Sequence, residues 1–99
     1  MLGEKLKELR EAKGLVQRQV ASELGVDTAY ISKMESNEKP LSRIHFKKLS
    51  EMLGIDEKEL LTIWLAEKLL GVIKDEEVAL KAIYAAEAEV KKHNKKHIK

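Results

Sequence analysis

The chain has 99 residues, 43% of them hydrophobic, a size and composition suited to one domain with a single modest core. It contains no cysteine, which excludes disulfide bonds and thiolate zinc sites, and no stretch approaches the roughly 20 apolar residues of a transmembrane helix. The net charge is only +2, and the first sixty residues carry eleven basic and eleven acidic side chains, so any positive surface must come from the arrangement of charges.

Apolar residues recur at three- and four-residue spacing, and the alternating pattern of strands is missing, so the chain is predicted to be all-α. Gly14 and Gly25 stand where the first two helices should end, because glycine adopts positive φ without a steric penalty. The apolar stripes of these helices are Leu2, Leu6 and Leu9 in the first and Val16, Val20, Ala21 and Leu24 in the second.

A third helix should begin after Asp27, whose carboxylate can accept a backbone N–H bond. Ile31 and Met34 give it a narrow buried edge. After Glu35 the sequence is typical of a loop, because Asn37 tolerates unusual dihedral angles and Pro40 disfavours helical geometry at the residue before it.

Three more helices are predicted in the second half of the chain. Ser42 is expected to cap the fourth, which has Phe46, Leu49 and Leu53 on its inward face and ends at Gly54. Asp56 and Glu59 have the spacing of a capping box at the start of the fifth, which Gly71 is expected to break. The acidic residues 75–77 favour the start of a final helix that runs to about Lys92.

The second and third helices have the spacing of a helix-turn-helix unit. Ala21 lets the two helices approach closely, Gly25 permits the tight turn, and the apolar residues Val20, Leu24, Val26, Ile31 and Met34 fill the space between them. The outward side of the third helix then becomes a surface for reading DNA, because hydroxyl groups can bond base edges or phosphates and the Ala29 methyl can meet a thymine methyl. The same apolar residues would also suit a helical bundle that never touches DNA.

The segment from about residue 2 to residue 61 resembles the lambda-repressor/Cro-like regulators, also called the xenobiotic-response-element type. The matching residues are Leu6 to Leu15, Gln17, Val20-Ala21, Leu24-Gly25-Val26 and Tyr30 to Glu35. The resemblance implies a five-helix DNA-binding domain that binds a pseudo-palindromic site as a dimer. It also implies that the third helix enters the major groove and that Gln17 and Arg43 contact DNA. The sequence departs from the family at Val16, where a Ser or Thr cap is usual.

Two sets of DNA-contacting residues are therefore expected. The set for bases or the groove is Gln17, Thr28, Ala29, Tyr30, Ser32 and Lys33. The set for phosphates is Arg18, Asn37, Lys39, Arg43 and Lys47.

Residues 62–92 contain more apolar side chains than a free tail would, which favours a helical extension that forms a homodimer across a two-fold axis. The expected interface residues are Trp64, Leu65, Leu69, Ile73, Ala79, Ile83, Ala86 and Val90. The alternative is that the final helix folds over its own core. Residues 93–99 are basic and are expected to form a frayed tail.

The sequence gives little support for catalysis, since it has neither a cysteine nucleophile nor a glycine-rich phosphate loop. His93 and His97 have a metal-compatible spacing but no third ligand, so neither a metal nor a cofactor is expected. The sequence therefore predicts a cytoplasmic transcriptional regulator of the repressor kind that binds double-stranded operator DNA. It resembles controllers of restriction-modification or phage systems; the alternative is an antitoxin or interaction module whose C-terminal helices bind a toxin or another partner protein.

Overall fold

Six α-helices and one short 3₁₀ turn form the regular structure of residues 1–97, the part of the chain that the computed structural model describes. Ile98 and Lys99, together with the side chains of residues 96 and 97, lie outside the described residues; they include the end of the predicted basic tail and His97. The elements are α1 (Leu2–Ala12), α2 (Gln17–Leu24), α3 (Thr28–Glu35), the 3₁₀ turn Arg43–His45, α4 (Phe46–Leu53), α5 (Glu57–Ile73) and α6 (Ala79–His97). The predicted all-α class is confirmed.

The chain divides into two units, Met1–Glu67 and the residues from Lys68 onward. The first unit encloses one core to which helices α1 to α5 all contribute. Its buried apolar residues are Leu2, Leu6, Val20, Ala21, Leu24, Ile31, Met34, Leu41, Phe46, Leu49, Leu53, Ile55 and Leu60. The predicted stripes are confirmed except at Val16, which is 51% exposed because it precedes α2 instead of lying on its inner face.

Glycine and aspartate set several helix ends as predicted. Gly14, Gly25 and Gly54 have φ values of 68°, 70° and 70°, the left-handed region in which a side chain is penalised. The Asp27 carboxylate accepts from the Tyr30 N–H at 2.8 Å, and the Asp56 carboxylate accepts from the Lys58 N–H at 2.9 Å.

Other predicted helix ends are wrong. The Ser42 side chain caps nothing; a 3₁₀ turn follows Ser42, in which the His45 N–H donates to the Ser42 carbonyl, and α4 begins only at Phe46. Gly71 does not break α5, because one helical glycine costs only about 1 kcal/mol relative to alanine.

The second unit contains the end of α5, a turn and α6. The acidic residues 75–77 lie in the turn instead of in the first helical turn, and α6 continues past Lys92 to His97. None of the helices in residues 1–97 has the length and apolar character that crossing a membrane requires.

Candidate nucleic-acid interface

Helices α2 and α3 pack through buried side chains on their facing sides. Val20, Ala21 and Ile31 are almost completely buried at this contact. The turn between the helices is closed by the Val26 N–H, which donates to the Ala21 carbonyl at 3.0 Å, and Gly25 supplies the left-handed residue. The contact fixes the angle between the two helices, so the outer face of α3 has a defined orientation on the domain.

The outer face of α3 carries four exposed side chains that were predicted to contact the groove. Thr28, Ala29, Ser32 and Lys33 are exposed, whereas Ile31 and Met34 on the opposite side are buried. Together they offer hydroxyl groups, a methyl group and a cation, which are able to contact base edges, thymine methyls and phosphates. Lys33 and Ala29 also line a shallow depression together with Lys39 from the following loop.

Tyr30 contacts the loop that follows α3. Its hydroxyl donates to the Pro40 carbonyl at 3.3 Å and accepts from the Ser42 N–H at 3.1 Å. Its ring meets His45 edge to face, with centroids 5.9 Å apart. The structure thus gives Tyr30 a positioning role for residues 40–42 that the sequence did not indicate.

Asn37 anchors the other end of this loop. Its φ is 65°, its side-chain oxygen accepts from the Gly3 N–H at 3.1 Å, and its amide donates to the Glu4 carboxylate at 2.6 Å. That hydrogen bond, with a smaller contribution from the Met1 ammonium group, lowers the pKa of Glu4 from its ordinary 4.5 to about 2. The Asn37 side chain, predicted to bind phosphate, is thus engaged within the chain in this structure.

We expect the Glu4 titration to report this anchor. The pKa in the folded protein lies below that in the unfolded chain, so the interaction favours folding above about pH 4.5 and is lost as the pH falls towards 2. In Asn37→Gly, which keeps the positive φ and removes the amide, the Glu4 carboxyl resonance should titrate nearer to pH 4.5. An unchanged NMR titration midpoint in this variant would contradict the anchor.

Arg43 lies at the start of the 3₁₀ turn and next to the aromatic part of the core. Its guanidinium carbon is 5.8 Å from the centre of the Trp64 ring, close enough for a cation–π contact. Trp64 in turn donates from Nε1 to the Leu41 carbonyl at 2.7 Å and meets Phe46 edge to face. Trp64, predicted at the dimer interface, therefore packs in the first unit and supports the segment that carries Arg43.

The remaining predicted phosphate-binding residues are Arg18, Lys39 and Lys47, which are all exposed. Arg18 follows the first residue of α2, where the missing Ser or Thr cap was noted. No side chain caps that helix start from Val16, but the Val16 N–H donates to the side-chain oxygen Oε1 of Gln19 at 2.8 Å. This bond is the half of a capping box that the third helical residue supplies; it satisfies the N–H of Val16, whereas the acceptor that a Ser or Thr side chain would supply is missing.

A buried ion pair links α1 to the end of α3, and the sequence analysis missed it. Arg10 donates to the Glu35 carboxylate from Nε at 2.7 Å and from Nη2 at 3.2 Å, and Nη1 donates to the Leu15 carbonyl at 2.7 Å. The Glu35 carboxylate raises the pKa of Arg10, mainly through these hydrogen bonds. Gln17 completes the network by donating to Glu35 at 3.0 Å. A signal existed, because Arg10 lies one helical turn after Leu6, on the inward side of α1.

The predicted interface residues of the extension differ in exposure. Leu65, Leu69, Ile83, Ala86 and Val90 are exposed, and Ile73 and Ala79 are half-buried. Within α6 the helical spacing brings Ala79, Ile83, Ala86 and Val90 onto one face.

Comparisons with known proteins bear on the family of the chain. A curated relative, the propionyl-CoA carboxylase regulator of Cereibacter sphaeroides, is 38% identical over 60 residues, which are 61% of this chain and 13% of that protein's length. The chain thus corresponds to a small part of this relative. No solved structure matches the chain significantly. A helix-turn-helix family model matches residues 6–60, more than half of the chain. The chain therefore belongs to this family of lambda-repressor-like, xenobiotic-response-element-type DNA-binding regulators.

Proposed function

We propose that the protein is a sequence-specific transcriptional repressor that binds an inverted-repeat operator as a homodimer. The outer face of α3 carries this proposal, because it presents exposed hydroxyl, methyl and ammonium groups above a buried edge that holds the helix rigidly. In this proposal Thr28, Ala29, Ser32 and Lys33 read the groove. Repression follows from occupying DNA at or near a promoter.

The phosphate contacts are proposed to come from both sides of α3. Hydrogen bonds of Asn37, Tyr30 and Trp64 hold the loop from residue 36 to residue 42, so Lys39 within it and Arg43 directly after it have little freedom to lose on binding. Arg18 near the start of α2 and Lys47 on α4 complete the set. Contacts to phosphate fix the orientation of a protein on the duplex but carry no sequence information directly.

The dimer is proposed to form through the extension, residues 62–92. Large apolar side chains there are exposed, including Leu69, Val72, Leu80 and Val90, and a concentration of exposed apolar side chains in one segment is typical of an interaction site. A two-fold dimer would present two copies of α3 to half-sites about one DNA turn, roughly 34 Å, apart.

Selection from a randomised duplex library at one stated salt concentration tests the proposal. The purified protein should enrich an inverted repeat whose half-sites are centred about 10 base pairs apart. Enrichment of a single half-site would overturn the dimer, and no enrichment above competitor DNA would favour a module that binds a partner protein through its C-terminal helices.

Two variants distinguish a contact in the groove from a contact to phosphate in the same assay. Lys33→Ala should weaken binding to the selected site. Arg43→Ala should weaken binding about equally on all sequences and lower the log–log salt slope by about 0.9, the value for one lost phosphate contact. Lys48→Ala is the matched control, because it removes the same charge from a lysine that donates to the Glu23 carbonyl at 3.0 Å. A changed sequence preference in Arg43→Ala would contradict its phosphate role.

A further inference from the structure

The Tyr30 hydroxyl joins α3 to the loop that follows it. It donates to the Pro40 carbonyl and accepts from the Ser42 N–H, so it holds the backbone on both sides of Leu41. A tyrosine hydroxyl has a single proton. Because the Pro40 carbonyl takes this proton, the hydroxyl has none left to donate to a DNA phosphate, although residue 30 lies on the helix that carries the groove-facing side chains.

The residue between these two hydrogen bonds is held from another helix. The Leu41 side chain is buried in the core, and its carbonyl accepts from Nε1 of Trp64 on α5. The Trp64 ring also lies against the guanidinium group of Arg43. Three consecutive residues, 40–42, therefore have backbone groups bound by aromatic side chains of α3 and α5, and the proposed phosphate contacts Lys39 and Arg43 directly flank this segment.

The two hydrogen bonds of Tyr30 tie this segment to α3 itself. Ser32 and Lys33 follow Tyr30 on the same helix and are exposed. The hydrogen bonds therefore fix the spacing between the side chains proposed to read bases and those proposed to bind phosphates. A selected site requires both sets of contacts in one geometry, and a spacing that is fixed beforehand leaves less freedom to be lost on binding. Binding to unselected DNA is mainly electrostatic, so it gains little from a fixed spacing.

We infer that Tyr30 is a positioning residue that determines how strongly the protein prefers its operator to other DNA, although its hydroxyl contacts neither bases nor phosphates. The inference rests on the proposed operator binding and assigns Tyr30 a role within it. Loss of the hydroxyl should therefore weaken binding to the selected site alone, whereas a residue that contacts phosphate contributes on every sequence.

Tyr30→Phe tests the inference, because it removes the hydroxyl and keeps the ring that meets His45 edge to face. Dissociation constants are measured at one stated salt concentration for the duplex selected from the random library and for a scrambled duplex of the same composition. Binding to the selected duplex should weaken about three- to tenfold, in keeping with the net strength of one hydrogen bond. Binding to the scrambled duplex should stay the same, whereas a merely destabilised protein would bind both duplexes less.

A matched control and a measurement without DNA accompany this variant. Tyr84→Phe removes the same hydroxyl from a side chain that is 66% exposed on α6, and it should change neither dissociation constant. In the free protein, the Ser42 N–H should exchange with solvent faster in Tyr30→Phe than in the wild type, because its acceptor is gone.

The outcomes separate failure of the inference from failure of the proposed function. Unchanged binding of Tyr30→Phe to the selected duplex, equal weakening on both duplexes, a changed sequence preference or an unchanged exchange rate of the Ser42 N–H would each overturn the role of Tyr30 and leave operator binding intact. If the wild type selects no sequence from the library, the proposed function fails, and the role of Tyr30 fails with it.

Discussion

Gly3→Ala should strongly destabilise the first unit. A Cβ atom at residue 3 would lie 2.5 Å from the Glu35 carbonyl oxygen, 2.6 Å from the Asn37 side-chain oxygen and 2.7 Å from the Met34 carbonyl oxygen. Two of these atoms belong to the backbone at the end of α3, so no side-chain rotation relieves the collision, and α1 must move away from α3. Overpacking of this kind costs about 1–3 kcal/mol, and we expect the upper end of that range.

Thermal unfolding measures the effect. In a domain of this size each kcal/mol lowers the melting temperature by about 4–8 °C, so the decrease should be at least 10 °C, on the order expected for about 3 kcal/mol. Gly71→Ala is the matched control, since a Cβ there meets nothing within 4 Å. Because residue 71 is helical, this change should be neutral or should stabilise the protein by up to about 1 kcal/mol. Equal melting temperatures for the two variants would show that α1 does not approach α3 this closely.

The sequence predicted the helices of the first unit well because their ends are set by local chemistry. Gly14, Gly25 and Gly54 adopt positive φ, and Asp27 and Asp56 accept backbone N–H bonds, and none of this depends on distant residues. The errors arose where a tertiary contact or a modest preference decides. The Ser42 side chain has the chemistry of a helix cap. The backbone at this residue is instead held by a tertiary contact, in which the Ser42 N–H donates to the hydroxyl of the distant Tyr30.

The sequence predicted which face of α3 is exposed, but it did not predict which side chains hold the residues around that face. The alternation of buried Ile31 and Met34 with exposed Ser32 and Lys33 follows from helical periodicity alone. Helical periodicity does not predict the side-chain partners of Tyr30, Asn37 and Arg43, because each partner lies on another element. The sequence predicted a loop after α3 but not these contacts, which hold the loop in place.

Glu35→Ala should be the other strongly destabilising substitution in the first unit. The Arg10 and Glu35 side chains are only 10% and 5% exposed, so the change leaves a buried guanidinium group without its counter-charge. Breaking a buried ion pair from one side costs about 3–5 kcal/mol. Since small domains have stabilities of about 5–15 kcal/mol, the loss is a large fraction of the total, and the variant should unfold at a much lower denaturant concentration than the wild type.

Chemical denaturation of four proteins tests whether the cost comes from the unpaired charge. We expect Glu35→Leu and Arg10→Met to be strongly destabilised alone, and the two combined to recover most of the loss, because an apolar pair leaves no charge buried. Gln17 then loses its acceptor, but it is only half-buried and water can replace Glu35. Additive losses in the double variant would mean that the two side chains act independently. If the double variant is stable but binds DNA more weakly than the wild type, the ion pair acts in orienting α3 against α1, because stability alone no longer accounts for the loss.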